Sequence, residues 1–186
     1  MKVKVPKQNI YKGFKKEDIH IGLKSLIPRI LKNDDVYFVC IGTDRCTGDS
    51  LAPLVGSELV KKGYKNVIGT IDDPVHAMNL QETINNLPKD KVIIAIDAAL
   101  GKVDSVGLLS VFKGSLRAGA GVNKDLPPVG DYGIHGVVNV GGFMEYAVLQ
   151  NTRLSLVMRM ANDIVWAINK RFPVKRKAKN NFILKY

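Results

Sequence analysis

Apolar residues along this chain fall into short unbroken runs, and between the runs they recur at intervals of three and four. Val36-Tyr-Phe-Val-Cys-Ile41 has no polar alternation, which predicts a strand covered on both faces. Val67–Ile71, Lys91–Ile96, Val106–Lys113 and Ile134–Val140 are the further strand candidates. Ile19, Leu23, Leu26, Ile27 and Ile30 predict a helix over Lys15 to Leu31, with Pro28 disturbing its last turn. A second helix is predicted from Ser50 to Lys62, stopped by Gly63, and a third from Ala77 to Leu87, stopped by Pro88. Met144 to Arg171 reads as one long helix whose apolar stripe runs from Leu154 to Ile168, with Pro173 beyond its end.

Strand and helix alternate three times before the pattern changes to strand, strand, helix. This predicts a single α/β domain over residues 1–186, three-layered, with a mainly parallel sheet of about five strands flanked by helices. In the common doubly wound order the Val36–Ile41 strand lies between the next two strands, and the loops after the strands share one edge of the sheet. Asp44, Asp49, Asp72, Asp73, His76, Asp97 and Asn139 all fall in those loops on this reading. Gly114 to Asp131 has no helical periodicity, and a loop of that length inside a domain is more often functional than idle.

The segment after the first of these strands, Ile41-Gly-Thr-Asp-Arg-Cys-Thr-Gly-Asp-Ser-Leu-Ala-Pro53, holds the densest chemistry. Gly42 and Gly48 permit tight turns, and Asp49 and Ser50 are good residues to cap the following helix. Asp44, Cys46 and Asp49 are its reactive candidates. Asp49 and Asp97 occupy matched positions on the shared edge. Two carboxylates held close cannot both ionise easily, so one keeps a proton while the other takes one from water. The plain structural alternative has Asp49 capping its helix and Asp97 binding amides of its own loop. Phosphate-loop, dinucleotide, serine-elbow, His-Glu-x-x-His and paired Cys-x-x-Cys motifs are all missing. His20 reads as structural.

Charge changes the picture only at the ends. The formal net charge is +11; residues 1–32 hold nine Lys/Arg against Glu17 and Asp18, and residues 170–186 hold seven and no acid. The middle is therefore mildly acidic, flanked by a basic lead (about 1–16) and a basic tail (about 173–186). Neither end interleaves aromatic residues with its charges, so DNA binding is not the first expectation. Two cysteines make no disulfide framework, and no apolar run is long enough to span a membrane. An intracellular, cytoplasmic setting is expected.

The longest unusual runs add a resemblance. Ile41 to Leu51, Gly69-Thr-Ile-Asp-Asp-Pro-Val-His-Ala-Met-Asn-Leu80, Gly119-Ala-Gly-Val-Asn-Lys-Asp-Leu-Pro-Pro-Val-Gly-Asp131 and Val138 to Leu154 resemble the YyaC-type sporulation proteins of endospore-forming bacteria. That group is similar to the germination protease, an atypical aspartic endopeptidase of small acid-soluble spore proteins. Both are similar in fold to the hydrogenase maturation endopeptidases, so the resemblance implies their phosphorylase/hydrolase-like fold. The germination protease has catalytic aspartates in a Pro-Asp-Ala-Leu-Gly-Pro run and an Ile-Asp-Ala-Leu run. Gly48-Asp49-Ser-Leu-Ala-Pro53 and Ile96-Asp97-Ala-Ala-Leu100 match these, with Gly48 and Ala52 as departures. Gly119-Ala-Gly-Val-Asn-Lys124 matches a glycine-rich loop of that family.

The resemblance implies a spore-associated endopeptidase, in the forespore or spore core, needing no cofactor, with Asp49 and Asp97 as the catalytic pair. A substrate or oxyanion role is expected for Gly119, Gly121, Asn123, Lys124 and Asn139, and Asp44, Asp73 and His76 are further edge candidates. A protein or peptide is the expected substrate, with the small acid-soluble spore proteins as the implied class; self-association is compatible with the sequence. Asp49 is expected to be the low-pKa member, favoured by the helix start, and Asp97 the one holding the proton. Three alternatives stand beside this. One is a metal-dependent maturation-type peptidase using Asp49, Asp97 and His76. Another is a Cys46 nucleophile with His76 or His135 as base. The last is a non-catalytic sporulation protein binding an acidic partner or DNA.

Overall fold

In the strand Val36–Ile41 (β2), Val36, Phe38 and Cys40 are buried in one apolar cluster, while Val39 and Ile41 are buried in another. Successive side chains of a strand point to opposite faces, so the sheet is covered on both sides. This is why the run shows no polar alternation. The same parity recurs in Val92–Gly101 (β4): Ile94 and Ile96 join the first cluster, Ile93 and Ala95 the second.

The computed structural model describes residues 9–118 and 126–174. Its remaining strands are Ile10–Gly13 (β1), Val67–Ile68 (β3), Leu109–Lys113 (β5) and Tyr132–Val140 (β6). They form one six-stranded sheet in the order β1-β5-β6-β4-β2-β3. From β3 through β2 and β4 to β6 the pairing is parallel, and β5 and β1 add antiparallel strands at the far edge. The helices are Lys16–Leu26 (α1), Leu51–Lys61 (α2), Leu80–Asn85 (α3), Glu145–Gln150 (α4) and Leu154–Arg171 (α5). Residues of α1, α2 and α5 pack with the larger cluster; α3 and flanks of the 114–131 segment cover the other face. The expected layered α/β fold is the one observed, with β2 between β3 and β4 as anticipated.

Several boundaries differ, each for a local reason. The basic lead contains a strand, since β1 pairs with β5. Expected to reach Ile71, β3 ends before Gly69, whose φ of +90° breaks the extended run. Strand β4 runs through Asp97 to Gly101 because β6 stays paired beside it, with a register shift at Ala99/Leu100. Asp97 and Asn139 are therefore strand residues rather than loop residues. The predicted helix from Met144 is two helices, broken at Asn151–Arg153. Inside the predicted 114–131 loop, Leu116 and Val129 exchange backbone hydrogen bonds of 2.8 and 2.9 Å. Gly119, Gly121, Asn123 and Lys124 lie outside the described residues.

Candidate active site

The chain leaves β2 at Gly42, whose amide donates to the Val75 carbonyl oxygen at 2.7 Å and whose φ is +149°. A side chain here would collide with the backbone carbonyl of Asp49. That close approach folds the loop back on itself, and the Thr43 amide donates to the Asp49 carbonyl oxygen at 3.2 Å. Gly48–Ser50 form a single 3-10 turn leading into α2. Contrary to the capping expectation, no side chain caps α2; the Ser50 hydroxyl donates instead to the Thr47 carbonyl oxygen at 2.7 Å. Asp49 is consequently placed on the turn, facing a cavity.

That cavity, of about 250 Å³, is lined by both Asp49 and Asp97. Asp97 is paired in register with Ile41 on one side and His135 on the other, and is 5% exposed. Beyond it, Ala98, Ala99 and Leu100 continue along the wall, next to the register shift in the β4–β6 ladder. Irregularities of this kind are common beside active sites, where they re-aim side chains. His76 enters from the loop after β3, where its Nδ1 accepts from the Met78 amide at 3.3 Å. Its own amide donates to Asn79 Oδ1 at 2.8 Å.

Burial raises the Asp49 pKa from 3.8 to about 6, and the Thr43 amide opposes that shift without cancelling it. This reverses the expectation of a low-pKa Asp49: desolvation of the carboxylate outweighs stabilisation from the helix start. Asp49 is an acid that holds its proton unusually well.

The other expected residues separate from this pair. Asp44 is exposed and accepts from the Thr43 hydroxyl at 3.4 Å. Asp73 closes a turn with Thr70, its amide donating to Thr70 Oγ1 at 3.0 Å. Neither lines the cavity. Asn139 is a strut: its amide nitrogen donates to the Val148 carbonyl oxygen at 3.2 Å and to Thr152 Oγ1 at 3.1 Å. Its carbonyl oxygen accepts from the Val140 amide at 2.8 Å. With both ends of its amide engaged, Asn139 supports α4 and does not line the cavity.

Sequence reasoning overlooked Arg45, Met78, Tyr146 and Leu149 as lining residues. Reading Met144–Arg171 as one helix hid the last two. The available signal was that the apolar stripe starts only at Leu154, after Asn151-Thr152-Arg153. Among the described residues, no three His, Cys, Asp or Glu stand close enough together to hold a metal ion. Asp49, Asp97 and His76 therefore share a cavity without forming a ligand set.

Similarity to known proteins is found at three levels. Residues 9–167 match the family described as "Protein of unknown function (DUF1256)". A Bacillus subtilis (strain 168) protein named "Uncharacterized protein YyaC" is 58% identical over 132 residues, which span 68% of this chain and 64% of that protein. Among solved structures, the [NiFe] hydrogenase maturation protease HycI from Thermococcus kodakarensis KOD1 aligns with a TM-score of 0.46 and 14% identity. That alignment covers 75% of this chain and 96% of the protease. By the family match over most of its length, the chain belongs to the DUF1256 family.

Proposed function

We propose that this protein is a peptidase in which Asp49 and Asp97 share one proton and activate water. The observation that carries the reading is that one cavity at the sheet edge is lined by both carboxylates, one of them almost fully buried. Asp49, with its raised pKa, is assigned the proton, and Asp97 the role of base. In the forward step Asp97 takes a proton from water as the water oxygen bonds to the scissile carbonyl carbon. Asp49 gives its proton to the carbonyl oxygen. Collapse of the tetrahedral species breaks the C–N bond, with a proton passing from the Asp97 carboxyl to the leaving nitrogen and the hydroxyl proton returning to Asp49. Atoms balance, and the pair regains its starting protonation. No cofactor is required by this sequence of steps. Small acid-soluble spore proteins, the class implied by the resemblance to the germination protease, are the proposed natural substrates.

Asp49→Asn and Asp97→Asn should each lower kcat at least about 100-fold, the scale of a lost general acid or base, with unaltered circular dichroism. The assay is cleavage of purified small acid-soluble spore proteins followed by mass spectrometry. Cleavage at the wild-type rate by either folded variant removes the aspartate pair from the mechanism.

A further inference from the structure

Two carboxylates need little room, yet the cavity lined by Asp49 and Asp97 measures about 250 Å³. A dry cavity of about 150 Å³ accommodates a benzene molecule. This one therefore has room for a large side chain and part of the backbone that carries it. The room exists because Ala77, Ala98, Ala99 and Ala118 are among the lining residues, where longer side chains would fill it. They come from separate parts of the chain: Ala98 and Ala99 from β4, Ala77 from the stretch between β3 and α3, and Ala118 from beyond the Leu116–Val129 pairing. Ile41, Leu126 and Leu149 add branched apolar walls. Burial of Asp49, which raises its pKa, is the effect expected of such a lining.

Charge narrows the occupant further, given the shared proton of the mechanism above, on which this inference rests. A carboxylate of the substrate placed here would face both aspartates and be repelled. An ammonium or guanidinium would favour ionisation of both acids and drive off the proton they share. A neutral polar side chain would give up water for walls that offer few hydrogen-bond partners. Of the described polar residues on the lining, Arg45 is exposed, and His76 already accepts from the Met78 amide through Nδ1.

We infer that the cavity is a specificity pocket for a large apolar side chain, of leucine, methionine or phenylalanine type, on a residue flanking the scissile bond. The lining alanines set its size. The substrate is thus a polypeptide cut next to such a residue, in a segment extended enough to deliver it to the two carboxylates.

The test incubates the full chain with a random-sequence peptide mixture and reads the cut sites by mass spectrometry. The peptide cleaved fastest is then remade with leucine, phenylalanine, alanine, lysine or glutamate at the flanking position. Cut sites should be flanked by leucine, methionine or phenylalanine. From leucine to alanine kcat/KM should fall at least about 100-fold, since each methylene in such a pocket is worth about tenfold or more. The lysine and glutamate peptides should be cut more slowly still. Ala99→Leu should bring the leucine-to-alanine ratio below about 10, because its side chain takes the space the substrate's would occupy. Ala77→Leu makes the same test from outside the sheet if Ala99→Leu fails to fold. General damage to the enzyme would lower both rates and keep the ratio. If Asp49→Asn is inactive but the ratio is unchanged in every folded alanine variant, or the cut sites are flanked by small or charged residues, the pocket is overturned and the aspartate mechanism stands. Full activity in Asp49→Asn, or no cleavage by wild type, overturns the mechanism and the pocket together.

Discussion

At the scale of single residues, Asp49 makes the site expensive to keep. Its carboxyl has a pKa near 6 in the fold against an ordinary 3.8. Below about pH 4 both the folded and unfolded chains hold the proton, and Asp49 contributes no pH dependence. Between about 4 and 6 the folded chain still binds a proton that the unfolded chain has released, so stability falls as pH rises. Above 6 the folded state carries a desolvated carboxylate. Asp49→Asn should therefore be more stable than wild type by about 1–2 kcal/mol at pH 7.5 and equal to it near pH 3.5. Urea melts at the two pH values check this; a gain of the same size at both would mean the effect is not ionisation. The same proton should appear in catalysis. Activity that depends on one shared proton should decline above about pH 6, and kcat/KM measured across pH 4–9 would show that limb.

At the scale of elements, the cavity that holds Asp49 and Asp97 depends on residues that do not line it. Asn139→Ala removes the two bonds that hold the end of α4 and leaves the Thr152 hydroxyl with only the Val148 carbonyl. It should cost about 1–2 kcal/mol and lower kcat by loosening the cavity wall that α4 supplies through Tyr146 and Leu149, whereas Asn139→Asp, which cannot donate to Val148, should not restore either property. Thermal melts and rates on the same preparations test both parts. Arg171 plays the equivalent part on the other side of the molecule. From the end of α5 its guanidinium donates to the carbonyls of Pro28 at 2.7 Å and of Ile27 and Leu31 at 3.3 Å. These groups follow α1 and accept a planar fork better than a point charge, so Arg171→Lys should not compensate.

The same scale explains what could be read beforehand. β2, β4 and β6 were legible because burial on both faces leaves an apolar run, and Asp97 stood out as the acid ending one. α4 was not, because a short helix before a long one shows no periodicity break beyond a late start of the stripe. β1 was masked by the lysines around it, its burial alternating between exposed and half-buried. The matched placing of Asp49 and Asp97 followed from topology. The protonation order did not, since it depends on how deeply a loop carboxylate is buried, which no spacing encodes.

At the scale of the molecule, Asp49 and Asp97 line one cavity while α2 lies close to the sheet. Gly56 faces the Gly69 carbonyl, and Gly69, at φ +90°, faces the Cys40 carbonyl. A Cβ at either glycine would run into backbone that cannot turn aside. The three segments β2, β3 and α2 therefore approach backbone to backbone, and the start of α2 carries Asp49 to the edge where β4 presents Asp97. Gly56→Ala should push α2 outward, lowering stability by about 3 kcal/mol or more and moving Asp49 away from its partner. Loss of stability alone could lower activity, so a second glycine on the same helix supplies the comparison. Gly63, just past the end of α2, has φ +94° and open space around it, with Val174 at ordinary contact distance. Gly63→Ala should cost about 1 kcal/mol by backbone strain without shifting α2. Measured at a temperature where both variants are folded, Gly63→Ala should keep the wild-type kcat, while Gly56→Ala should lose most of it. If the two variants retain equal rates per folded molecule, the close seating of α2 matters for stability and not for bringing Asp49 to Asp97.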